Sequence, residues 1–147
     1  MKRLAIAAVT ALTATVLLAG SALASAPQPI TITVVTGMEG SSDPFEATGG
    51  VVCEEGVVGN AGGHFVGWQS TTHAQILVLK RFTCDDGTFD ILLRVKLDFE
   101  TQDTVATWSV VDGSGAYASL RGAGTLIGTN NGGDTILDEY VGGMHID

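Results

Sequence analysis

The chain has 147 residues, of which 16 are Asp or Glu and 7 are Lys or Arg, for a net charge of −9. That length supports one hydrophobic core and leaves no room for a second. The acidic balance repels phosphate backbones and anionic lipid heads, so neither nucleic acid nor a membrane surface is an expected partner.

Lys2 and Arg3 precede an apolar run over residues 4–19, followed by Gly20 and the small-residue stretch Ala22-Leu23-Ala24-Ser25-Ala26. A basic start, a short apolar run and an Ala-x-Ala site are the parts of a secretory signal peptide, here residues 1–26. The run is shorter than the roughly 20 apolar residues that span a bilayer. Cleavage is expected after Ala24 or Ala26, leaving residues 27–147 as one exported, extracellular domain. Losing Lys2 and Arg3 takes the net charge to −11. Cys53 and Cys84, the two cysteines, then enter an oxidising compartment and are expected to pair. Their disulfide would close a loop of about 32 residues, for which the chain-entropy model gives roughly 3 to 4 kcal/mol.

The first strand is expected at residues 30–36, then a loop at 37–44, a short strand at 45–49, a strand at 51–58 and a glycine-rich loop at 59–63. A run rich in Ile, Leu, Val and Phe follows at 74–84, and Asp85-Asp86-Gly87 turns it into its neighbour as a hairpin. In that neighbour Phe89, Ile91, Leu93, Val95, Leu97 and Phe99 alternate with Asp90, Leu92, Arg94, Lys96 and Asp98. A period of two over eleven residues marks a long strand with one buried face. Further strands are expected at 105–111, 124–128 and 135–141, with Asp112-Gly113 and Asn131-Gly132 as turns. The fold class is all-β: a single antiparallel barrel or sandwich, with about eight strands fitting closure.

Residues 108–126 carry the pattern Gly113-x-Gly115-x-Tyr117-x-x-Leu120-x-Gly122-x-Gly124-Thr125. It resembles the corresponding segment of the allene oxide cyclase and dirigent β-barrels and of small secreted bacterial proteins related to them. The likeness covers the last third of the chain, and residues 51–99 in outline. It implies an eight-stranded barrel with a largely apolar cavity, in a group that includes cyclases and proteins that steer phenoxy-radical coupling. Such barrels often associate, so a homo-oligomer is among its implications. The resemblance transfers no catalytic residue, because the plant cyclases' catalytic groups have no motif-level match here. The segment speaks to backbone geometry: Gly113 and Gly115 are expected in a turn, Tyr117 and Leu120 packed under the barrel edge, and Gly122 and Gly124 where strands curve tightly.

No motif implies a cofactor or a metal. Gly113-x-Gly115-x-x-Ala118 formally fits a dinucleotide loop, but Gly122 and Gly124 stop any helix and no βαβ unit surrounds it. Asn130-Asn131-Gly132-Gly133-Asp134 is one copy of a calcium-type repeat that needs stacked copies. His64, His73 and His145 share no metal-ligand spacing, and Ser114 lacks a nucleophile elbow. The adjacent charges Glu54-Glu55 and Lys80-Arg81 stand out, because strand neighbours face opposite ways and one of each pair should point inward. If Cys53 and Cys84 sit opposite each other on adjacent strands, Glu55 falls near Phe82, close to Lys80 and Arg81. Glu55 and Arg81 are therefore the candidate ligand-binding residues, able to orient a polar ligand end at a barrel mouth. A bulge or strand end that leaves these charges in water is the alternative.

The expected role is non-enzymatic binding of a small apolar ligand or a surface partner. One alternative is a dirigent-like, cyclase or isomerase activity on a hydrophobic metabolite. Another is an interaction protein whose barrel is filled by Phe89, Leu93, Val95 and Phe99. Eight strands can just fill their interior or just hold one small ligand, so a cavity separates these readings.

Overall fold

The structure, a computed structural model, describes residues 25–37 and 42–147. The expected signal peptide lies outside the described residues except for Ser25 and Ala26, as does part of the 37–44 loop. Eight strands run in chain order: β1 (Gln28–Gly37), β2 (Asp43–Thr48), β3 (Glu55–Trp68), β4 (His73–Cys84), β5 (Gly87–Asp98), β6 (Thr104–Gly115), β7 (Leu120–Asn130) and β8 (Thr135–Ile146). Each pairs antiparallel with the next, and β8 returns to β1, so the sheet closes into an all-β barrel. Among the described residues there is no helix.

The long alternation becomes β5, paired along its length with β4 through the Asp85-Asp86 turn. Phe89, Ile91 and Leu93 are buried on its inner face. Phe82 on β4 lies directly opposite Phe89, and the two rings stack with centroids 4.9 Å apart. Phe45 from β2 and Tyr140 from β8 meet Phe82 edge-on at 5.2 and 5.7 Å. Offset-stacked and edge-on pairs satisfy the ring quadrupoles as well as burying area. These rings plug one half of the barrel.

Below the plug the chain between β6 and β7 closes the end. Tyr117 and Leu120 are both buried there, as expected of this segment, and Tyr117 packs edge-on against Phe89 at 5.4 Å. The Tyr117 hydroxyl accepts a hydrogen bond from the Cys53 N–H at 3.1 Å. Burial pushes its phenol up to about 12, with Asp86 adding to the shift, so the hydroxyl stays protonated. Cys53 is in turn disulfide-bonded to Cys84 at the end of β4, which ties the segment before β3 to the plugged half. Gly124 and Gly142 lie beneath the Trp108 ring, where a side chain at either would strike the indole. Trp108 thereby reaches the Thr125 carbonyl, to which its Nε1–H donates at 2.9 Å.

Three expectations need correction. Residues 59–63 are not a loop but the middle of β3, which begins at Glu55 and continues to Trp68 with register shifts between Asn60 and Gly62 and between Phe65 and Gly67. Glycines at Gly59, Gly62 and Gly63 put no side chain on either face, so the period of two disappears while backbone pairing continues. The expected strand at 51–58 accordingly starts four residues late, and Cys53 precedes it. Asp112-Gly113 is not a turn: both residues lie inside β6, next to a register shift between Asp90 and Ile91. The chain turns after Gly115, whose φ of 60° falls in the left-handed region that glycine tolerates. Asn131-Gly132 does form the β7–β8 turn, with Gly132 and Gly133 at positive φ.

Replacing both cysteines (Cys53→Ala with Cys84→Ala) is expected to cost about 2 to 5 kcal/mol, read as a fall in the urea midpoint. Tyr117→Phe, which removes the acceptor of the Cys53 N–H and keeps the ring, is expected to cost about 1 kcal/mol in the same assay.

Candidate functional site

The other half of the barrel is open. A cavity of about 630 Å³ enters there, walled by Ile76 and Val78 of β4, Leu93, Val95 and Leu97 of β5, Leu126 of β7 and Ile136 of β8. Leu93, Val95 and Phe99, expected as filling, line this space instead, while Phe89 belongs to the plug. At the mouth Phe99 meets Trp68 with ring centroids 5.2 Å apart, and Trp68 meets Phe65 at the same distance. All three rings are exposed.

Two ionisable groups stand where cavity meets plug. Alternation along β4 puts Lys80 on the inner face with Phe82 and Val78, and it is 8% exposed. Asp138, two residues before Tyr140 on β8, faces the same space and is 7% exposed. Thr36 of β1 donates its hydroxyl to Asp138 Oδ2 at 2.7 Å. Among the described residues Lys80 makes no direct ion pair or hydrogen bond, and Asp138 and Asp43 act on it through space. Burial lowers the Lys80 ammonium below its ordinary value against the pull of both carboxylates. Burial likewise raises the Asp138 carboxyl, against the hydrogen bond from Thr36 and the charge of Lys80. The arrangement is an amine and an acid, each pushed toward its neutral form, on the floor of an apolar chamber.

The two residues singled out from the sequence lie elsewhere. Register sets Arg81 opposite Gly59 and Glu55 opposite Glu46, so the two do not meet. Cys53 lies outside β3, which removes the cross-strand position that would have brought Glu55 to Phe82. Arg81 points outward and makes a two-pronged bond to Asp90 across the β4–β5 pair, Nε to Oδ1 at 2.8 Å and Nη2 to Oδ2 at 2.7 Å. This bond raises the already high Arg81 value further. Glu55 is exposed in a separate depression beside the disulfide, about 660 Å³, shared with Glu46, Glu54, Asp85 and Asp86. That depression is similar in volume, but its five carboxylates face water and its apolar lining is smaller than that of the interior cavity. The barrel interior is the better site for an organic ligand.

His73 acquires partners that no sequence spacing announced. Its Nε2 lies 3.2 Å from Asp98 Oδ2, while Nδ1 lies 2.9 Å from the Thr72 hydroxyl and 3.2 Å from the Ser70 hydroxyl. Ser70 Oγ also accepts the Thr72 and His73 N–H groups, so it is committed to holding the β3–β4 turn. Asp98 is held below the usual carboxylate range by the Glu100 and Thr101 N–H groups, with His73 adding to them. The network fixes two turns at the mouth. Parity along β4 was the signal that could have marked Lys80: it shares a face with Phe82, an obvious core residue. Asp138 had no such signal, since its strand neighbours were expected but their inner face was not.

Comparison of the chain with protein-family models, with curated proteins and with solved structures finds no match.

Burial of Asp138 has a checkable consequence for stability. A carboxyl whose folded value is raised binds its proton more tightly in the native state. Its contribution to stability is therefore greatest in acid and declines as pH rises from the ordinary 3.8 through the raised value. The difference in unfolding free energy between the wild-type protein and Asp138→Asn is expected to fall over that window. Urea titrations of both proteins in steps from pH 3.5 upward, roughly to pH 8, measure it; a flat difference would show that Asp138 is not desolvated.

Proposed function

We propose that the protein is a secreted binding barrel that holds one small, neutral, largely apolar molecule in the open half of its interior. Lys80 and Asp138 orient the molecule's polar end. The observation that carries this reading is the cavity of about 630 Å³ with a mostly apolar lining and with Lys80 and Asp138 buried at its inner end. Its volume is in the range typical of small-molecule sites, which pair an apolar lining with a few placed polar groups. Lys80 supplies a donor and Asp138 an acceptor, a combination suited to a hydroxyl or carbonyl group. A carboxylate ligand suits the floor less well, because Asp138 and Asp43 already act on the single ammonium.

Export rests on the leader read in residues 1–26 and on the Cys53–Cys84 disulfide, which fits an oxidising compartment. Among the described residues no helix is long and apolar enough to cross a membrane. The resemblance of residues 108–126 to allene oxide cyclase and dirigent barrels supports the same kind of scaffold. The interior amine and acid favour one second reading, an isomerase or cyclase that moves a proton on its bound ligand.

A neutral naphthylamine dye is expected to bind saturably, about one per barrel, and Val78→Trp or Val95→Trp, which fill the cavity, should weaken it about tenfold or more. No saturable binding to the wild-type protein would refute the carrier reading. Native mass spectrometry of protein from the producer's culture medium is expected to find residues 25–147 or 27–147 with a released small molecule. A ligand recovered chemically changed after incubation would favour the isomerase.

A further inference from the structure

We propose that Lys80 captures an apolar aldehyde or ketone in the barrel cavity as a reversible imine. The inference rests on the binding reading above and names the ligand class and the bond. Three features of the site converge on it. Among the described residues Lys80 is the one lysine on the interior face, and nothing there hydrogen-bonds its nitrogen. Burial favours the free amine, the form whose lone pair attacks a carbonyl carbon. Asp138 faces the same chamber and is the strongest charge acting on Lys80, with burial favouring its protonated form.

The chemistry balances without any further reagent. The Lys80 Nζ lone pair forms a bond to the carbonyl carbon while the carbonyl π pair moves to oxygen, which takes the Asp138 proton. The nitrogen then returns one proton to the Asp138 carboxylate, giving a neutral carbinolamine. Asp138 protonates the carbinolamine hydroxyl, water leaves, and the nitrogen lone pair closes the C=N bond; the iminium proton can pass back to Asp138. Amine plus carbonyl gives imine plus water, with nothing oxidised or reduced. Apolar walls shield the imine from hydrolysis and hold the carbonyl compound's tail, which a surface lysine cannot do.

The chain is well suited to a test, because Lys80 and Lys96 are its only lysines beyond position 2 and Lys96 is exposed on the outer face of β5. The protein is incubated at pH 7 with decanal and cyanoborohydride, which reduces an imine in place, and labelled lysines are quantified by peptide mass spectrometry. Lys80 is expected to be labelled at least about tenfold faster than Lys96. Asp138→Asn should slow the Lys80 reaction several-fold at saturating decanal, where a change in ligand affinity does not enter the rate. The neutral naphthylamine dye should compete with labelling at Lys80 and not at Lys96. If the dye binds but Lys80 is labelled no faster than Lys96, the imine proposal fails and the binding reading stands. If neither dye nor aldehyde enters, both fail. Lys80→Met offers an independent check: a folded variant whose total decanal incorporation falls to the slow rate of Lys96 supports the proposal, and one that still incorporates decanal at the wild-type rate overturns it.

Discussion

A closed eight-stranded sheet has an interior that large side chains can just fill, and the rings around Phe82 decide which half of this one is filled. Phe82 stacks on Phe89 and takes Phe45 and Tyr140 edge-on, so β2, β4, β5 and β8 converge on one side chain. Truncating such a ring costs about 3 to 5 kcal/mol in other cores, a large share of any small domain's stability. The plug is also wired to the covalent framework. Phe89 packs on Tyr117, Tyr117 bonds to the Cys53 backbone, and Cys53 is linked to Cys84, two residues beyond Phe82 on the same strand. Because this half is packed and cross-linked, the other half does not have to be filled for the sheet to close.

The interior changes character one layer above the rings. Moving away from the plug, the inward positions on β4 pass from Phe82 to Lys80 to Val78, and those on β8 from Tyr140 to Asp138 to Ile136. The side chains shrink from rings to aliphatics, and the space left over is the cavity. Its floor is a layer of ionisable groups whose burial works against stability, since desolvation outweighs the attraction of Asp138 and Asp43 in setting the Lys80 ammonium. Apolar replacements for buried charges are often neutral or stabilising in other proteins. Groups that are costly to bury and that share a concave site are where perturbed acid–base chemistry concentrates. The Arg81–Asp90 pair on the outer face is the contrasting case: it is well formed, largely open to water on the arginine side, and adequately explained by holding β4 to β5.

Period and turn chemistry carried most of the fold. The β4–β5 hairpin was legible because both of its strands alternate cleanly and the Asp-Asp-Gly turn is short. The burial of Tyr117 and Leu120 was legible through the glycine-framed motif around them. What stayed hidden was hidden for physical reasons. The middle of β3 presents glycine where a side chain would announce a face, and its two bulges shift the phase of what remains. Gly113 has the look of a turn residue, but it is needed inside β6, where any side chain would collide with the Tyr117 carbonyl. The lysine of the interior cavity's ionisable pair lies one position away on β4 from the residue the sequence singled out there. Reasoning from the disulfide assumed that Cys53 belonged to β3, which drew attention to Glu55 and Arg81, whereas the parity of β4 alone sets Lys80 beside Phe82. Asp138 acts on Lys80 through space from β8, through a long-range closure that no local pattern encodes.

The same glycine-rich strand that obscured the register also explains how a molecule could reach the floor. From Gly59 to Trp68, β3 contributes no buried side chain, although it stays paired with β4 throughout. A wall with few apolar contacts and two bulges opens locally at lower cost than the ring-packed half. Its end carries Phe65 and Trp68, which together with Phe99 make an exposed aromatic rim on the cavity side. Exposed rings clustered at a mouth are costly to leave in water and lose that cost when an apolar molecule slides between them. The barrel thus sets a stiff end against a compliant one, and the two polar groups lie at the junction, where the proposed ligand would come to rest.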